Sequence, residues 1–222
     1  MDWTAFALSL KLALWTCVLI LPLAILLARW LAWSRFRGKS LIEALVMLPL
    51  VLPPTVLGFY LLVGFSPESG LGAALKAVIG EPLAFTFAGI LVASIIINLP
   101  FAVQPIQRAF EAIAPNVREA AFVSGLSPLE TMRRVELPLA WPGIVSAIAL
   151  VIAHTLGEFG VILMIGGSIP GETRVMSISI YDSVQAFRAG DAAVMSAALL
   201  AFSLVAIALV HVLARRRRSD AP

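Results

Sequence analysis

The chain has 222 residues, of which 60% are hydrophobic and only 13% are charged. A soluble domain carries about 25% charged residues, so this composition excludes an ordinary soluble domain and predicts an all-α, polytopic membrane protein. The net charge of +3 is modest and falls at the ends of apolar runs, so it does not predict nucleic-acid binding. The single cysteine, Cys17, excludes a disulfide framework or a cysteine metal site within one chain.

Several apolar runs approach the ~20 residues that a helix needs to cross a bilayer. We predict five membrane spans, at about residues 8–31, 41–63, 83–103, 144–165 and 192–213. The first run is too long for the core of a cleavable signal peptide, and Asp2 with the lone Lys11 makes a poor basic region before it, so we predict that this run is the first span. Short helices are predicted in two connections, at 71–79 and 176–186. These features predict a single transmembrane domain over residues 1–222.

Basic residues fall mainly in three regions, which lie on one side of the membrane if the chain has five spans. They are Arg35, Arg37 and Lys39 in the first connection, Arg108, Arg118, Arg133 and Arg134 in the third connection, and Arg215, Arg216, Arg217 and Arg218 at the C-terminus. Because cytoplasmic loops are enriched in basic residues, we predict an N-terminus outside, a C-terminus inside and a cytoplasmic third connection. We interpret the C-terminal run as a cytoplasmic anchor, with a lipid-binding or nucleic-acid-binding tail as the alternative.

The third connection, over residues 106–138, is a polar interruption in a mostly apolar chain. Its sequence predicts two short helices joined at Gly125, because glycine adopts the left-handed backbone of a helix C-terminus at no steric cost. Asn116 is a candidate N-cap for the first helix, and Glu119 three residues later would complete a capping box.

The second short helix of this connection is predicted to begin at Ser127. Pro128 takes the first helical position, and Glu130 lies three residues after the cap, as a second capping box requires. We predict that Pro138 and Pro142 end this helix and lead into the fourth span.

The same connection carries a spaced motif: Glu-Ala-Ala, three residues, Gly, nine residues, Val, any residue, Leu-Pro. Its fixed positions are Glu119, Ala120, Ala121, Gly125, Val135, Leu137 and Pro138. The motif resembles the EAA loop of ABC importer permeases, with Val135 in place of an isoleucine. The alternative is a pair of surface helices that link two spans and bind no partner.

The resemblance implies an all-helical ABC importer permease of the cytoplasmic (inner) cell membrane. It implies that two copies of the chain form a homodimer within membrane lipid. It also implies two kinds of protein partner, a pair of ATP-binding cassette subunits and an external oxyanion-binding protein. It also implies that ATP and Mg bind the partner subunit, that no cofactor binds this chain, and that the chain is not an enzyme. The sequence agrees that ATP binds a separate subunit, because it lacks a complete phosphate-binding loop. Gly38-Lys39-Ser40 resembles the end of such a loop, but position 33 is Trp, where the loop needs its first glycine. The resemblance assigns docking to the loop and electrostatic support to its four arginines.

Prolines interrupt the second predicted span at Pro49, Pro53 and Pro54, and Thr55 follows them. Proline inside a helix frees a backbone carbonyl, and such a carbonyl at membrane depth must be buried in protein or line a wet cavity. Pro53, Pro54 and Thr55 are therefore candidates for a translocation path. A kink that only improves packing is the alternative.

Polar side chains in the third and fourth spans are further candidates for this path. Asn98 either lines a gate or bonds a neighbouring helix. His154 and Glu158 share one helix face, and an intramembrane carboxylate is a candidate functional residue. We predict that Glu158 faces the bundle interior with a polar partner, and that Gly157 allows close helix approach or a break. A metal site would need more ligands than this pair supplies.

The substrate is indicated by two segments, Leu-Gly-Glu-Phe-Gly at 156–160 and Pro-Gly-Glu-Thr-Arg at 170–174. They resemble the permease of molybdate ABC transporters, and sulfate permeases have a similar Gly-Glu-Phe-Gly. The resemblance implies molybdate import, with sulfate or tungstate as alternative oxyanions. Two other classes stay open: a proton-coupled secondary transporter that uses His154 and Glu158, and a membrane scaffold that transports nothing.

Overall fold

The computed structural model describes residues 1–219, with side chains at 1–208, 210 and 212, and within them the secondary structure is helical. The helices are α1 (Trp3–Trp33), α2 (Lys39–Val51), α3 (Pro54–Phe65), α4 (Gly70–Ile79), α5 (Phe87–Glu111), α6 (Pro115–Val123), α7 (Pro128–Thr131), α8 (Leu137–Gly157), α9 (Gly160–Gly166), α10 (Met176–Gln185) and α11 (Ala189–Ser219). The predicted all-α class is confirmed. The side chains of the C-terminal arginine run lie outside the described residues.

Four helical segments of the described chain are long and apolar enough to cross a membrane. They are Trp3–Trp33, Phe87–Glu111, Pro128–Gly157 and Ala189–Ala208. Helices α2 and α3 add a fifth span if they are counted together, although they are bent by 108°. The predicted number of five therefore requires a broken second span.

The second span breaks at Leu52 and Pro53, whose backbones are extended, with φ and ψ of −73° and 138° and of −54° and 137°. A residue that precedes proline is driven out of the helical region, and both of these residues precede one. Pro49 lies inside α2 without ending it. The predicted proline break is confirmed: the span predicted at about 41–63 is divided into α2 and α3.

The fourth predicted span, 144–165, is wrong as a single helix. The helix starts earlier, at Pro128, and ends at Gly157. Glu158 then has an extended backbone (φ −69°, ψ 128°) before α9 begins at Gly160. The break that Gly157 was predicted to allow is therefore present.

Pro138 and Pro142 were predicted to end a helix, and this prediction is wrong. Both residues lie within the continuous helical segment that contains α7 and α8. A π-helical turn at Met132–Glu136 joins the two helices, and the Leu137 N–H bonds to the Met132 carbonyl five residues back. In an α-helix the ring of Pro138 would clash with the carbonyl four residues back. The wider turn lies directly before the proline, so the helix continues into the membrane.

Both predicted connection helices are found, as α4 and α10. The third span starts at Phe87, later than the predicted residue 83, because the Thr86 side chain accepts from the Gly89 N–H and caps α5.

Helices α1, α5 and α8 pack at the centre of the molecule through small residues. Ala28 of α1, Ala102 of α5 and Ala140 of α8 are fully buried. Small residues let helix backbones approach closely, which is the main source of packing energy between helices in a membrane. Gly143 extends this contact, since a Cβ there would lie 2.5 Å from the carbonyl oxygen of Pro105.

Contacts of α1 define the two ends of the bundle. At its start, Ser179 Oγ of α10 donates to the Asp2 carboxylate (3.1 Å). At its other end, Arg29 Nε donates to Glu136 (2.6 Å). The basic first and third connections therefore lie at one end of the bundle and α10 lies at the other.

Candidate coupling loop and intramembrane polar site

Helix α6 carries Glu119, and it begins differently from the prediction. It starts at Pro115, after Ala114 with an extended backbone (φ −60°, ψ 136°), and no side chain caps this end. Asn116 lies inside the helix, so the predicted first capping box is wrong. The reason is local: proline presets the helical φ at Pro115 and drives Ala114 out of the helical region.

Gly125 ends α6 as predicted, with a positive φ of 83°. The Gly125 N–H bonds to the Phe122 carbonyl (3.0 Å), and the Leu126 N–H bonds to the Ala121 carbonyl (3.2 Å). This pair of bonds is a Schellman motif, which satisfies carbonyls that the end of a helix leaves open. The turn is therefore a fixed structure and not a flexible tether.

The second capping box is confirmed at the start of α7. The Glu130 N–H bonds to Ser127 Oγ (3.3 Å), and the Ser127 N–H bonds to Glu130 Oε2 (3.0 Å). Pro128 takes the first helical position. Two of the N–H groups that a helix start leaves open are thus satisfied by side chains.

One side of this loop is exposed and largely apolar. We define the loop face as Glu119, Ala120, Phe122, Val123 and Leu129. Val123 is 89% exposed, whereas Ala121 is only 7% exposed and packs inward. Only Ala120 of the two alanines is therefore available to a partner. At the start of α8, Leu137 is half-buried and Pro138 is exposed.

Beneath the loop lies an ion cluster that the sequence pattern did not reveal. Glu136 is completely buried and accepts from Arg29 Nε (2.6 Å) and from Arg118 Nε (3.0 Å). Arg118 was grouped with the docking arginines, but its side chain faces the membrane domain. The only signal in the sequence is that Glu136 lies between apolar Val135 and Leu137. This local pattern does not indicate which residues pair with Glu136.

Asn98 belongs to a chain of polar side chains buried between α5 and α8. Its Nδ2 donates to Thr155 Oγ1 (3.1 Å) and to the Ser94 carbonyl (2.8 Å), and its Oδ1 lies 3.2 Å from His154 Nδ1. Thr16 of α1 extends the chain by donating to Ser94 Oγ (2.9 Å). Of the two predicted roles for Asn98, the bond to a neighbouring helix is present.

Glu158 lies at the break between α8 and α9, with its side chain 11% exposed. Its Oε1 accepts from the Val161 N–H (2.9 Å), and its Oε2 lies 3.7 Å from His154 Nε2. Its carbonyl accepts from Ser177 Oγ of α10 (2.8 Å). The predicted inward orientation with a polar partner is confirmed. Among the residues whose side chains the structure describes, no group of three His, Cys, Asp or Glu is arranged to hold a metal ion.

The breaks in the second and fourth spans meet in space. A Cβ at Gly160 would lie 2.8 Å from Pro54 Cβ and 3.8 Å from Glu158 Oε1. The predicted path residues that are exposed in this region are Pro53, Pro54, Thr55 and Gly157. Nothing lies within 4 Å of the position that a Cβ would take at Gly157. The structure therefore brings the proline break, Gly157 and Glu158 together, and Asn98 connects to them through His154.

The chain matches a family model described as binding-protein-dependent transport system inner membrane component over residues 20–219. The chain belongs to this family. As an ABC importer permease it is a transporter subunit of the inner membrane and not an enzyme.

Relatives of this permease include molybdenum and sulfate transport permeases. The molybdenum transport system permease protein ModB of Azotobacter vinelandii is 46% identical over 206 residues, which cover 93% of this chain and 91% of the relative. The sulfate transport system permease protein CysT of Salmonella typhimurium is 34% identical over 192 residues, covering 86% of this chain and 69% of the relative.

A solved structure shows the same fold. It is a bacterial ABC transporter involved in the import of the acidic polysaccharide alginate, with a TM-score of 0.79 and 21% identity. The match covers 96% of this chain and 78% of that chain.

Proposed function

We propose that this permease carries molybdate inward across the cytoplasmic membrane, driven by ATP hydrolysis in separate subunits. The observation that carries the proposal is the loop face, an exposed apolar surface on a helical loop whose turn is fixed by hydrogen bonds. An exposed apolar patch of this kind marks an interaction site. The 46% identity to the molybdenum permease, against 34% to the sulfate permease, supports molybdate over sulfate. Tungstate is the remaining alternative.

Two copies of the chain pair in the membrane, surrounded by lipid, and sit on two ATPase subunits that bind ATP and Mg. An external oxyanion-binding protein delivers the substrate to the opposite face. The N-terminus lies outside and the loop lies in the cytoplasm, because the basic connections share the end of the bundle that holds Glu136.

The docking element lies within residues 106–138 of the single domain 1–222. Its residues are Glu119, Ala120, Ala121, Gly125, Leu137 and Pro138. Glu119 and Ala120 contact the ATPase, while Ala121 packs α6 against the membrane domain, in keeping with its burial. Gly125 sets the angle between the two short helices, and Leu137 and Pro138 carry the motion into α8.

The translocation path runs beside the meeting point of the two helix breaks. Its residues are Pro53, Pro54, Thr55, Asn98, Gly157 and Glu158. Extended backbone at membrane depth carries N–H and C=O groups that must line a wet cavity or be buried in protein. Transport follows alternating access, in which closure of the ATPase pair moves the loops and reorients the broken spans.

The test is ATP hydrolysis by the complete complex in lipid vesicles, with binding protein and molybdate, tungstate or sulfate supplied outside. We expect molybdate to stimulate hydrolysis and to accumulate inside. Stimulation by sulfate alone would contradict the substrate assignment. Uptake that persists without the ATPase subunits but collapses with the proton gradient would contradict the ATP-driven mechanism.

The docking assignment is tested with Gly125→Asp, which adds a charged side chain to a residue with positive φ. Gly80→Asp is a matched control, because Gly80 also ends a helix with positive φ (93°) and nothing lies within 4 Å of the position that its Cβ would take. We expect Gly125→Asp to lose both ATPase co-purification and stimulated hydrolysis, and Gly80→Asp to retain both. Wild-type stimulation and transport in Gly125→Asp would show that the loop does not dock the ATPase.

A further inference from the structure

The ion cluster beneath the loop joins segments that are far apart in the chain. Glu136, in the π-helical turn, is completely buried. Arg29 of α1 donates to it through Nε (2.6 Å) and Nη2 (3.3 Å), and Arg118 of α6 donates through Nε (3.0 Å). A buried carboxylate is costly unless it is paired and hydrogen-bonded, and two guanidinium groups supply that here.

An aromatic wall holds the two arginines in place. The Arg118 guanidinium carbon lies 3.7 Å from the centroid of a Trp33 ring, and that of Arg29 lies 5.1 Å from it. The Trp33 ring in turn packs on the buried ring of Phe110 at the end of α5, with centroids 5.3 Å apart. Arg118 is therefore held by charge and by stacking at once, which lysine cannot reproduce.

We propose that Arg29, Arg118 and Glu136 form a transmission clamp, a set of positioning residues that makes the loop move as one body with α1 and α8. Arg118 directly precedes Glu119 and faces inward, while Glu119 lies on the loop face. A push on the loop face is thus passed to Arg118, whose guanidinium carbon lies 5.9 Å from the centroid of the Phe122 ring of that face. Glu136 receives it at the base of α8, and Arg29 carries it to α1.

This inference rests on the proposed coupling function, but it predicts a different measurable effect. The loop face decides whether the ATPase binds, whereas the clamp decides how much transport each hydrolysed ATP yields. A residue that only stabilises the fold would lower the amount of complex, its hydrolysis and its transport together. A clamp residue lowers the ratio of transported oxyanion to hydrolysed ATP in the complex that does assemble.

The experiment compares Arg118→Met, Arg118→Lys and wild type in the complete reconstituted complex. Arg188→Met is the control, because Arg188 is an exposed arginine at the other end of the bundle whose partner, Asp191, lies 4.0 Å away. We expect Arg118→Met to retain ATPase co-purification while oxyanion transported per ATP falls about tenfold, a typical size for coupling between sites. Arg118→Lys should fall between wild type and Arg118→Met, and Arg188→Met should match wild type.

A wild-type ratio in Arg118→Met would overturn the clamp, as would parallel losses of complex, hydrolysis and transport with an unchanged ratio. If Arg118→Met does not fold, Arg118→Lys decides, and a wild-type ratio there has the same meaning. A second readout needs no ATPase: a spin label at Val123→Cys in a Cys17→Ala background, with and without Arg118→Met. We expect the label to become more mobile when the arginine is removed. An unchanged spectrum would overturn the clamp even if the proposed function failed.

Discussion

Gly143 is the residue at which the central helix pair is most sensitive to a single methyl group. It lies on α8 against α5, where a Cβ would be 2.5 Å from the Pro105 carbonyl oxygen and 2.5 Å from Ala109 Cβ. Carbon atoms pack best at about 3.5–4.0 Å, so Gly143→Ala must force the two helices apart by about 1 Å. One of the two obstructing atoms belongs to the backbone, which cannot move aside as a side chain can.

The expected cost follows from this geometry. Overpacking a well-packed interior costs about 1–3 kcal/mol, and a backbone obstacle places Gly143→Ala at the upper end of that range. A loss of about 3 kcal/mol reduces the ratio of folded to unfolded protein by about 100-fold. The intrinsic gain in helix propensity from glycine to alanine, about 1 kcal/mol, offsets only part of the loss.

The assay is reversible unfolding in mixed micelles, followed by helical circular dichroism as the denaturing detergent fraction rises. Gly157→Ala is the matched control, because Gly157 lies on the same helix and nothing lies within 4 Å of the position that its Cβ would take. We expect Gly143→Ala to lower the free energy of unfolding while Gly157→Ala leaves it unchanged or raises it slightly. Equal stabilities of the two variants would refute the close approach of α5 and α8 at this point.

Three further predictions concern local features. Gly125→Ala should destabilise the folded loop by roughly 1–2 kcal/mol through its left-handed backbone, with Gly125→Asn less affected, and thermal unfolding of both variants checks the order. Ser127→Ala should lose about 1 kcal/mol of capping energy at α7 and speed hydrogen exchange of the Glu130 amide, and an unchanged rate would contradict the capping role. Asn98→Leu leaves Thr155 and His154 without their amide partner and should cost about 1–3 kcal/mol in the same unfolding assay, an expectation that a stable variant would contradict.

The elements that the sequence predicted correctly depend on neighbours within a few positions. The Ser127–Glu130 box and the Gly125 turn are built from bonds between residues three to five apart, so their signals are contained in the local pattern. The prediction of Asn116 as an N-cap was wrong for an equally local reason. The adjacent Pro115 competes for the same helix start and has the stronger backbone preference.

The features that the sequence could not predict depend on distant partners. Arg29 and Glu136 are 107 residues apart, and hydropathy alone describes them as a basic span end and a polar residue in a connection. The proline break at Pro53 and the break at Glu158 were each indicated by local residues, but their contact through Gly160 and Pro54 is a property of packing. Nothing in either segment specifies the other as its neighbour.

The continuity of the helix from Pro128 to Gly157 connects these observations mechanically. Its 30 residues span about 45 Å at 1.5 Å per residue, with the Ser127 capping box at one end and the Glu158 break at the other. A predicted helix end at Pro138 would have left the loop hinged on the membrane domain, so a loop movement would be lost at the hinge. The π-helical turn at Met132–Glu136 instead passes the proline without ending the helix, and it is also the turn that presents Glu136 to Arg29 and Arg118. The place where the helix is widest is therefore the place where side chains from two other helices hold it.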